Sequence, residues 1–180
     1  NPEKLVIDVE NNVINIYYTK RTDLSYTVNY LEKDTNKVLN QSKVVNDVKF
    51  ETVINGRNEV ITIDGYVFNS VNPEELTITT DSNVINIYYT KRTDLSYTVN
   101  YLEKDTNKVL NQSKVVNDVK FETVINGRNE VITIDGYVFN SVNPEELTIT
   151  TDSNVINIYY TKRTDLSYTV NYLEKDTNKV

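Results

Sequence analysis

The stretch Ser25-Tyr-Thr-Val-Asn-Tyr-Leu31 sets the pattern for the whole chain. Its large side chains alternate with small polar ones, so Tyr26, Val28 and Tyr30 share one face of an extended backbone. This period of two predicts a β-strand with one buried and one solvated face. The polar run Lys33–Lys37 predicts a turn, and the chain after it predicts the returning strand of a hairpin.

The chain repeats with a long period. Residues 12–71 reappear unchanged as 83–142, and residues 72–109 reappear unchanged as 143–180. A 71-residue unit is too long for a helical-pair solenoid and suits one small independent domain. We therefore expect tandem copies of a single domain.

Composition favours sheet and excludes several functions. The chain lacks Ala, the best helix former, and is rich in β-branched and aromatic residues, which predicts a mainly β fold with little helix. It also has no His and no Cys, so we expect no enzyme, no cofactor and no metal site. A net charge of −7 argues against nucleic-acid binding. The lack of a long apolar run argues against direct membrane insertion.

Local signals place the remaining elements. Asn55-Gly56 predicts a turn, because both residues accept positive φ at low cost. Asn72-Pro73 resembles a helix start, with at most one helical turn expected there. The stretches Leu76–Thr80 and Val84–Tyr89 predict a second hairpin across Asp81–Asn83.

These residues resemble a known family. The stretch Tyr26–Tyr30, the turn Asp34–Asn36, Gly65-Tyr66 and the closing Asn83–Tyr89 are similar to the mucin-binding-protein (MucBP) repeat. That repeat occurs in tandem in cell-wall-anchored surface proteins of Gram-positive bacteria. The resemblance implies a ubiquitin-like β-grasp-type fold in each unit, with the first and last strands adjacent and parallel.

The resemblance also implies a domain frame. Residues 1–22 would be the C-terminal hairpin of an incomplete preceding repeat, 23–93 and 94–164 two identical repeat domains, and 165–180 the first strands of an incomplete following repeat. Parallel first and last strands place entry and exit at opposite ends of a domain. We therefore expect an elongated rod that grows by ~40–55 Å per repeat. Its interdomain connector is Thr90, Lys91, Arg92, Thr93 and Asp94.

Two points about this frame stay open. A competing frame would begin each unit at Asn1, Asn72 and Asn143, with interdomain gaps near residues 70–73. The incomplete repeats at both ends are expected to pack on a neighbour or to be poorly ordered, because an isolated hairpin is marginally stable in water.

The candidate binding residues are tyrosines. Tyr88 and Tyr159 are expected on the outer face of a strand, where an aromatic ring could stack on a glycan. The turns Asp34–Asn36 and Asp81–Asn83 resemble the start of a calcium loop, but they lack its Gly and distant Glu, so turn chemistry is the favoured interpretation. Asn55-Gly56-Arg57 could deamidate to an integrin-like tripeptide, although a plain turn is again favoured.

The sequence thus predicts a non-enzymatic spacer segment of a bacterial cell-surface adhesin, extracellular and wall-anchored through regions outside this chain. The alternative is that the repeats themselves bind host mucin glycans or matrix protein weakly, with avidity. Neighbouring repeats of the same chain are the other expected partners, and the chain is expected to be a monomer.

Overall fold

A computed structural model describes residues 4–10 and 12–175 and divides the chain into two compact units, Asn1–Thr90 and Lys91–Val180. The division lies within the segment that the sequence marks as the connector. A strand runs from Tyr66 to Asn72 inside the first unit, across residues where the competing frame expects an interdomain gap.

The described residues of each unit form six strands in the same order. The strands of the first unit are β1 (Leu24–Glu32), β2 (Val38–Val48), β3 (Val53–Asn55), β4 (Tyr66–Asn72), β5 (Glu75–Thr77) and β6 (Val84–Lys91). Those of the second are β7 (Leu95–Glu103), β8 (Val109–Val119), β9 (Val124–Asn126), β10 (Tyr137–Asn143), β11 (Glu146–Thr148) and β12 (Val155–Lys162).

A mixed four-stranded sheet organises each unit. Its order is β2-β1-β6-β4 in the first unit and β8-β7-β12-β10 in the second. The first strand, β1, pairs antiparallel with β2 and parallel with the last long strand, β6. A small antiparallel sheet of β3 and β5 accompanies it. The mainly β architecture is as predicted. The parallel pairing of β1 with β6, the first and last strands of the unit, is also as predicted.

The core lies on one face of the main sheet, as the alternation in β1 predicts. Tyr26, Tyr30 and Tyr89 are core residues, buried together with Leu24, Val28, Val71, Ile78, Ile85 and Ile87. Phe50, Ile54, Leu76 and the loop residues Val60, Ile61 and Ile63 pack against this cluster. The small sheet and an irregular loop therefore cover the core, in a position where many sheets are covered by a helix.

The predicted hairpin between residues 76–80 and 84–89 does not form. β5 pairs with β3, with Leu76 opposite Ile54, and β6 instead lies between β1 and β4 in the main sheet. The buried Asn83 explains this change of sheet. Its side-chain oxygen accepts the Thr79 N–H at 2.9 Å, and its amide donates to the Ser25 and Thr79 carbonyls at 3.0 Å each. The chain is thus turned into β6 beside the start of β1.

Asn55-Gly56 is not the positive-φ turn that the sequence predicts. Asn55 has φ −82° and caps a short 3₁₀ helix over Gly56–Glu59, where its side chain accepts the Arg57 N–H. Glycine is needed at 56 for space, because a Cβ would lie 2.8 Å from the Pro73 carbonyl oxygen and 2.8 Å from a Val71 methyl. Among the described residues of the first unit, this 3₁₀ turn is the one helical element. At the expected helix start, Asn72 ends β4 and a cis peptide bond leads into a bend at Pro73.

The described residues before β1 and after β12 form no strand. Residues 12–23 and 163–174 carry no assigned secondary structure, and many of their large apolar side chains are exposed. The sequence predicts strands of incomplete repeats in these regions. Residues 1–3, 11 and 176–180, which belong to the same predicted repeats, lie outside the described part.

Close packing at Gly56 and its copy Gly127 gives a stability prediction. Replacing both by Ala should lower the free energy of unfolding by about 3 kcal/mol per unit, because a backbone carbonyl cannot move out of the way as a flexible side chain can. Urea denaturation followed by circular dichroism would measure it.

The matched control replaces Gly65 and Gly136 by Ala. These glycines have φ of 74° and 77°, and nothing lies within 4 Å of a Cβ at Gly136. Left-handed strain alone should cost only about 1 kcal/mol. Equal losses for the two pairs would contradict the packing explanation.

Candidate binding surface and connector

The outer face of the main sheet carries the predicted binding tyrosines. Strand alternation buries Ile85, Ile87 and Tyr89 and leaves Tyr88 on the opposite face, as predicted. Tyr88 is half-buried there, directly beside Leu31 of β1 in the parallel register. Its ring is therefore seated on the sheet and exposes only part of its surface.

The second unit shows the full row across three strands. Tyr159 of β12 is half-buried and lies opposite Leu102 of β7 on one side and Ser141 of β10 on the other. The row thus combines an aromatic ring with an aliphatic neighbour and a small polar one. Such a row can offer an apolar face to a flat ligand, and the glycan contact of Tyr88 and Tyr159 stays a prediction.

A polar ladder crosses the same face one row away. The Asn29 amide donates to the Asn86 side-chain oxygen at 2.9 Å, and the Ser42 hydroxyl donates to the Asn29 oxygen at 2.7 Å. The second unit repeats it through Asn100, Asn157 and Ser113. Three strands are therefore linked by side chains as well as by backbone, and amide groups lie two residues from each outer tyrosine.

A half-buried ionic network lies at the side of the core. The Tyr97 hydroxyl donates to the Glu130 carboxylate at 2.8 Å, and Lys114 donates to its other oxygen at 2.5 Å. Tyr26, Glu59 and Lys43 repeat the arrangement in the first unit. The Glu130 side chain is only 11% exposed, so both of its oxygens need these partners.

The environment shifts the pKa values of this network. Burial, together with the hydrogen bond to Glu130, raises the pKa of Tyr97 to about 12. Burial also acts to raise the pKa of Glu130, but the hydrogen bonds from Lys114 and Tyr97 outweigh it, and that pKa is lowered. These shifts favour a neutral phenol, a carboxylate and an ammonium at neutral pH.

The connector is held by several contacts. Thr90 and Lys91 are the last residues of β6, and Lys91 pairs with Glu122 at 2.6 Å. The guanidinium of Arg92 binds both carboxylate oxygens of Asp94, at 2.9 and 2.8 Å.

The backbone of the connector is held as well. The Phe121 N–H donates to the Arg92 carbonyl at 2.9 Å. The segment before β1 repeats this contact between Phe50 and Arg21, which shows that it belongs to the repeat itself.

The other motifs from the sequence are used within the fold. The Asn83 oxygen binds the Thr79 backbone, so it is engaged in a turn. The Arg57 guanidinium donates to a Glu74 carboxylate oxygen at 2.6 Å and lies 5.8 Å from the centroid of the Phe68 ring. The arginine of the Asn55-Gly56-Arg57 tripeptide is therefore engaged in contacts within the unit. The residues that the structure describes contain no group of three acidic side chains placed to hold a metal ion.

Two structural side chains escape prediction from the sequence. Glu59 looks like a solvated residue of a polar run, and its partner Lys43 is sixteen positions away. Asn83 reads as an ordinary turn residue until its contact with Ser25 is seen. The signal that could have indicated the ladder is the single Asn inside each apolar alternation, at 29 and at 86.

Comparison with known proteins assigns the family. The CS domain model matches residues 25–91 and 98–162, which together exceed half of the chain. The chain therefore belongs to the CS domain family, with one domain in each unit. The matching model is not that of the MucBP repeat, and the resemblance to that repeat stays a prediction.

A solved structure and a membrane criterion complete the comparison. Domains 3-4 of the Streptococcal High Identity Repeats in Tandem (SHIRT) from a cell surface protein share 13% identity with this chain, cover 78% of it and 98% of their own length, and give a TM-score of 0.32. No curated protein matches the chain. Among the described residues, no helix has the length and apolar character to cross a membrane.

The raised pKa of Tyr97 predicts alkaline instability. The folded state holds the phenol protonated up to about pH 12, whereas the unfolded value is 10. The stabilisation is therefore complete below pH 10 and is lost as the pH rises through 12. Replacing Tyr26 and Tyr97 by Phe should flatten the fall in unfolding free energy between these pH values, as measured by urea titration at several pH values.

The control is the pair of substitutions Val44→Ala and Val115→Ala at exposed positions, which removes no ionisable group. This pair should leave the slope of stability against pH unchanged. An unchanged slope in the Tyr26 and Tyr97 variant as well would contradict the assignment.

Proposed function

We propose that the repeats are a spacer segment of a bacterial cell-surface adhesin and that each unit is a β-grasp-type domain. The observation that carries the proposal is the parallel pairing of β1 with β6. Because the first and last strands of a unit point the same way, the chain enters at one end of the sheet and leaves at the other. A domain built in this way separates its two ends, which is what a spacer requires.

The connector supports the same function. Only Arg92, Thr93 and Asp94 separate β6 from β7, and none of them is Gly or Pro. Arg92 and Asp94 bind each other, and the Arg92 carbonyl is bound by Phe121. A short segment without Gly or Pro suits a spacer, which requires a similar length from every repeat.

Sequence identity between copies fits this function too. A spacer needs length and competent folding from every unit, and both are preserved when a unit is duplicated unchanged. The absence of His and Cys leaves the chain without the usual near-neutral acid–base group and without a thiol nucleophile.

Distance measurement tests the spacer. The chain has no native Cys, so spin labels can be attached at Ser25→Cys and Ser96→Cys, two exposed positions one repeat apart. Electron–electron double resonance should give one narrow distance distribution. Insertion of Gly-Gly-Ser-Gly after Thr93 should broaden it, because the inserted residues remove the constraint.

A pair of labels at Ser25→Cys and Ser82→Cys, both within the first unit, gives the width due to the labels alone. A native interdomain distribution as broad as that of the inserted variant would rule out a fixed spacing.

Weak glycan binding is the second candidate, favoured by one observation. The partly exposed ring of Tyr88 lies on the same face as the amides of Asn29 and Asn86. An aromatic face beside amide groups suits a sugar, which has both an apolar side and hydroxyl groups. Two or more repeats would then gain affinity through avidity.

Surface binding to immobilised mucin would separate the two functions. If the repeats bind, Tyr88→Ala with Tyr159→Ala should weaken retention of the chain about tenfold, since stacking is lost at both sites. Val44→Ala with Val115→Ala removes exposed side chains from another row of the sheet and should change nothing. If the unsubstituted chain is retained no better on mucin than on an uncoated surface, the glycan hypothesis is wrong. The spacer hypothesis would not be affected by that result.

A further inference from the structure

A pull on the chain enters and leaves each unit through its two central strands. In the second unit the connector leads directly into β7, and the chain leaves the unit after β12. The other strands, β8 to β11, lie in the stretch of chain that joins these two. Tension applied on both sides of the unit therefore acts on β7 and β12 before it reaches any other element.

The parallel pairing decides how that tension acts. β7 and β12 are paired over six positions, from Thr98 opposite Val155 to Glu103 opposite Tyr160. The tension acts on the first residue of β7 and on the last residue of β12, which lie at opposite ends of the pair. It therefore slides one strand along the other, so that the evenly spaced hydrogen bonds between them are loaded together. A pull on two adjacent ends would instead break these bonds one after another.

The order of the sheet concentrates the load on this pair. The order is β8-β7-β12-β10, so the line between β7 and β12 divides the main sheet into two halves. β8 is hydrogen-bonded to β7, and β10 is hydrogen-bonded to β12. When the central strands are pulled in opposite directions, each edge strand moves with its own neighbour. Within the main sheet, the load therefore falls on the hydrogen bonds between β7 and β12.

Hydrogen bonds close both ends of the loaded pair. The Thr98 N–H donates to the Asn154 carbonyl at 2.9 Å, and the Lys104 N–H donates to the Tyr160 carbonyl at 3.0 Å. The Asn154 side chain adds another bond at the first of these ends, where its amide donates to the Ser96 carbonyl at 3.0 Å. Bonds across the pair thus extend beyond the six paired positions at either end.

The amide pair of the outer face adds a bond in the middle. The Asn100 amide donates to the Asn157 side-chain oxygen at 2.9 Å. This bond joins the two strands that the tension slides past each other, so a displacement of one residue breaks it. The first unit repeats both side-chain bonds, from Asn29 to Asn86 and from Asn83 to the Ser25 carbonyl.

Burial opposes partial opening of the pair. Seven of the nine core residues of the second unit belong to β7 and β12, and Val99, Ile156 and Ile158 are fully buried. Backbone groups that separate on this side find no water to bind, which makes a partly opened pair unfavourable. Sliding the strands would also remove closely packed side chains from their positions. The pair should therefore resist until it fails as a whole.

We propose that the parallel pair, β1 with β6 and β7 with β12, is a force-bearing element that keeps each unit folded while the chain is under tension. This role rests on the spacer function proposed above, because a spacer transmits any pull on the domain that it carries. An unfolded unit would be longer than a folded one, so resistance to tension is what preserves the spacing.

Force spectroscopy in two pulling directions tests this role. DNA handles attached at Ser96→Cys and Thr164→Cys load opposite ends of the pair, whereas handles at Ser96→Cys and Ser153→Cys load adjacent ends. All three positions are exposed, and the chain has no native Cys. The first direction should require at least about threefold more force, because six paired positions are loaded together instead of in turn. Unfolding in that direction should release about 200 Å of chain in one step.

A substitution tests the amide bond within the pair. At constant force in the first direction, Asn157→Ala should raise the unfolding rate about fivefold, which corresponds to the loss of one hydrogen bond. In the second direction the same substitution should change the rate less than about twofold, because each bond is then loaded only in its turn. The matched control is Val115→Ala on the edge strand β8, which should change neither rate. Circular dichroism would check that every variant is folded.

Two results would overturn the proposal. Equal unfolding forces in the two directions would show that the parallel pair bears no special load. Equal effects of Asn157→Ala in the two directions would show that the amide bond contributes to stability in general and not to resistance against sliding. Equal forces with a narrow spin-label distribution would refute the force-bearing role alone. A broad distribution with unequal forces would refute the fixed spacing alone.

Discussion

The parallel pair of β1 and β6 is the interaction on which the rest of each unit depends. It places the two most buried strands side by side and supplies seven of the nine core residues. It also orders the edges, because β2 must lie outside β1 and β4 outside β6. Asn83 makes the pair possible, since its amide joins the entry of β6 to the Ser25 carbonyl.

The main sheet was predictable from the sequence because its information is local. The alternation in residues 25–31 identifies β1 and its buried face, and the polar run after it locates the turn into β2. The same alternation predicts that Tyr89 is buried and that Tyr88 lies on the other face. The parallel neighbour of β1 was available only through the resemblance, since a partner almost sixty residues away leaves no local signal.

What escaped prediction depends on contacts between distant residues. The partner of β5 is decided by Asn83, which looks like any turn residue, and Gly56 is required by the Pro73 carbonyl instead of by its own φ. Glu59, at the end of the 3₁₀ helix, is bound by Tyr26 of β1 and Lys43 of β2. Spacing within a repeat cannot indicate such contacts before the fold is known.

The asparagine ladder has a consequence for an array of identical copies. Asn29 lies opposite Asn86, so a slip of one residue would turn the amide of the slipped strand toward the core, and a slip of two would separate the two amides on the surface. The amide pair thus encodes the alignment of the two strands. The amide pair cannot distinguish a strand of the same repeat from the identical strand of a neighbouring repeat, because every copy carries the same pair. Pairing of two strands from the same repeat must therefore be favoured by chain connectivity alone.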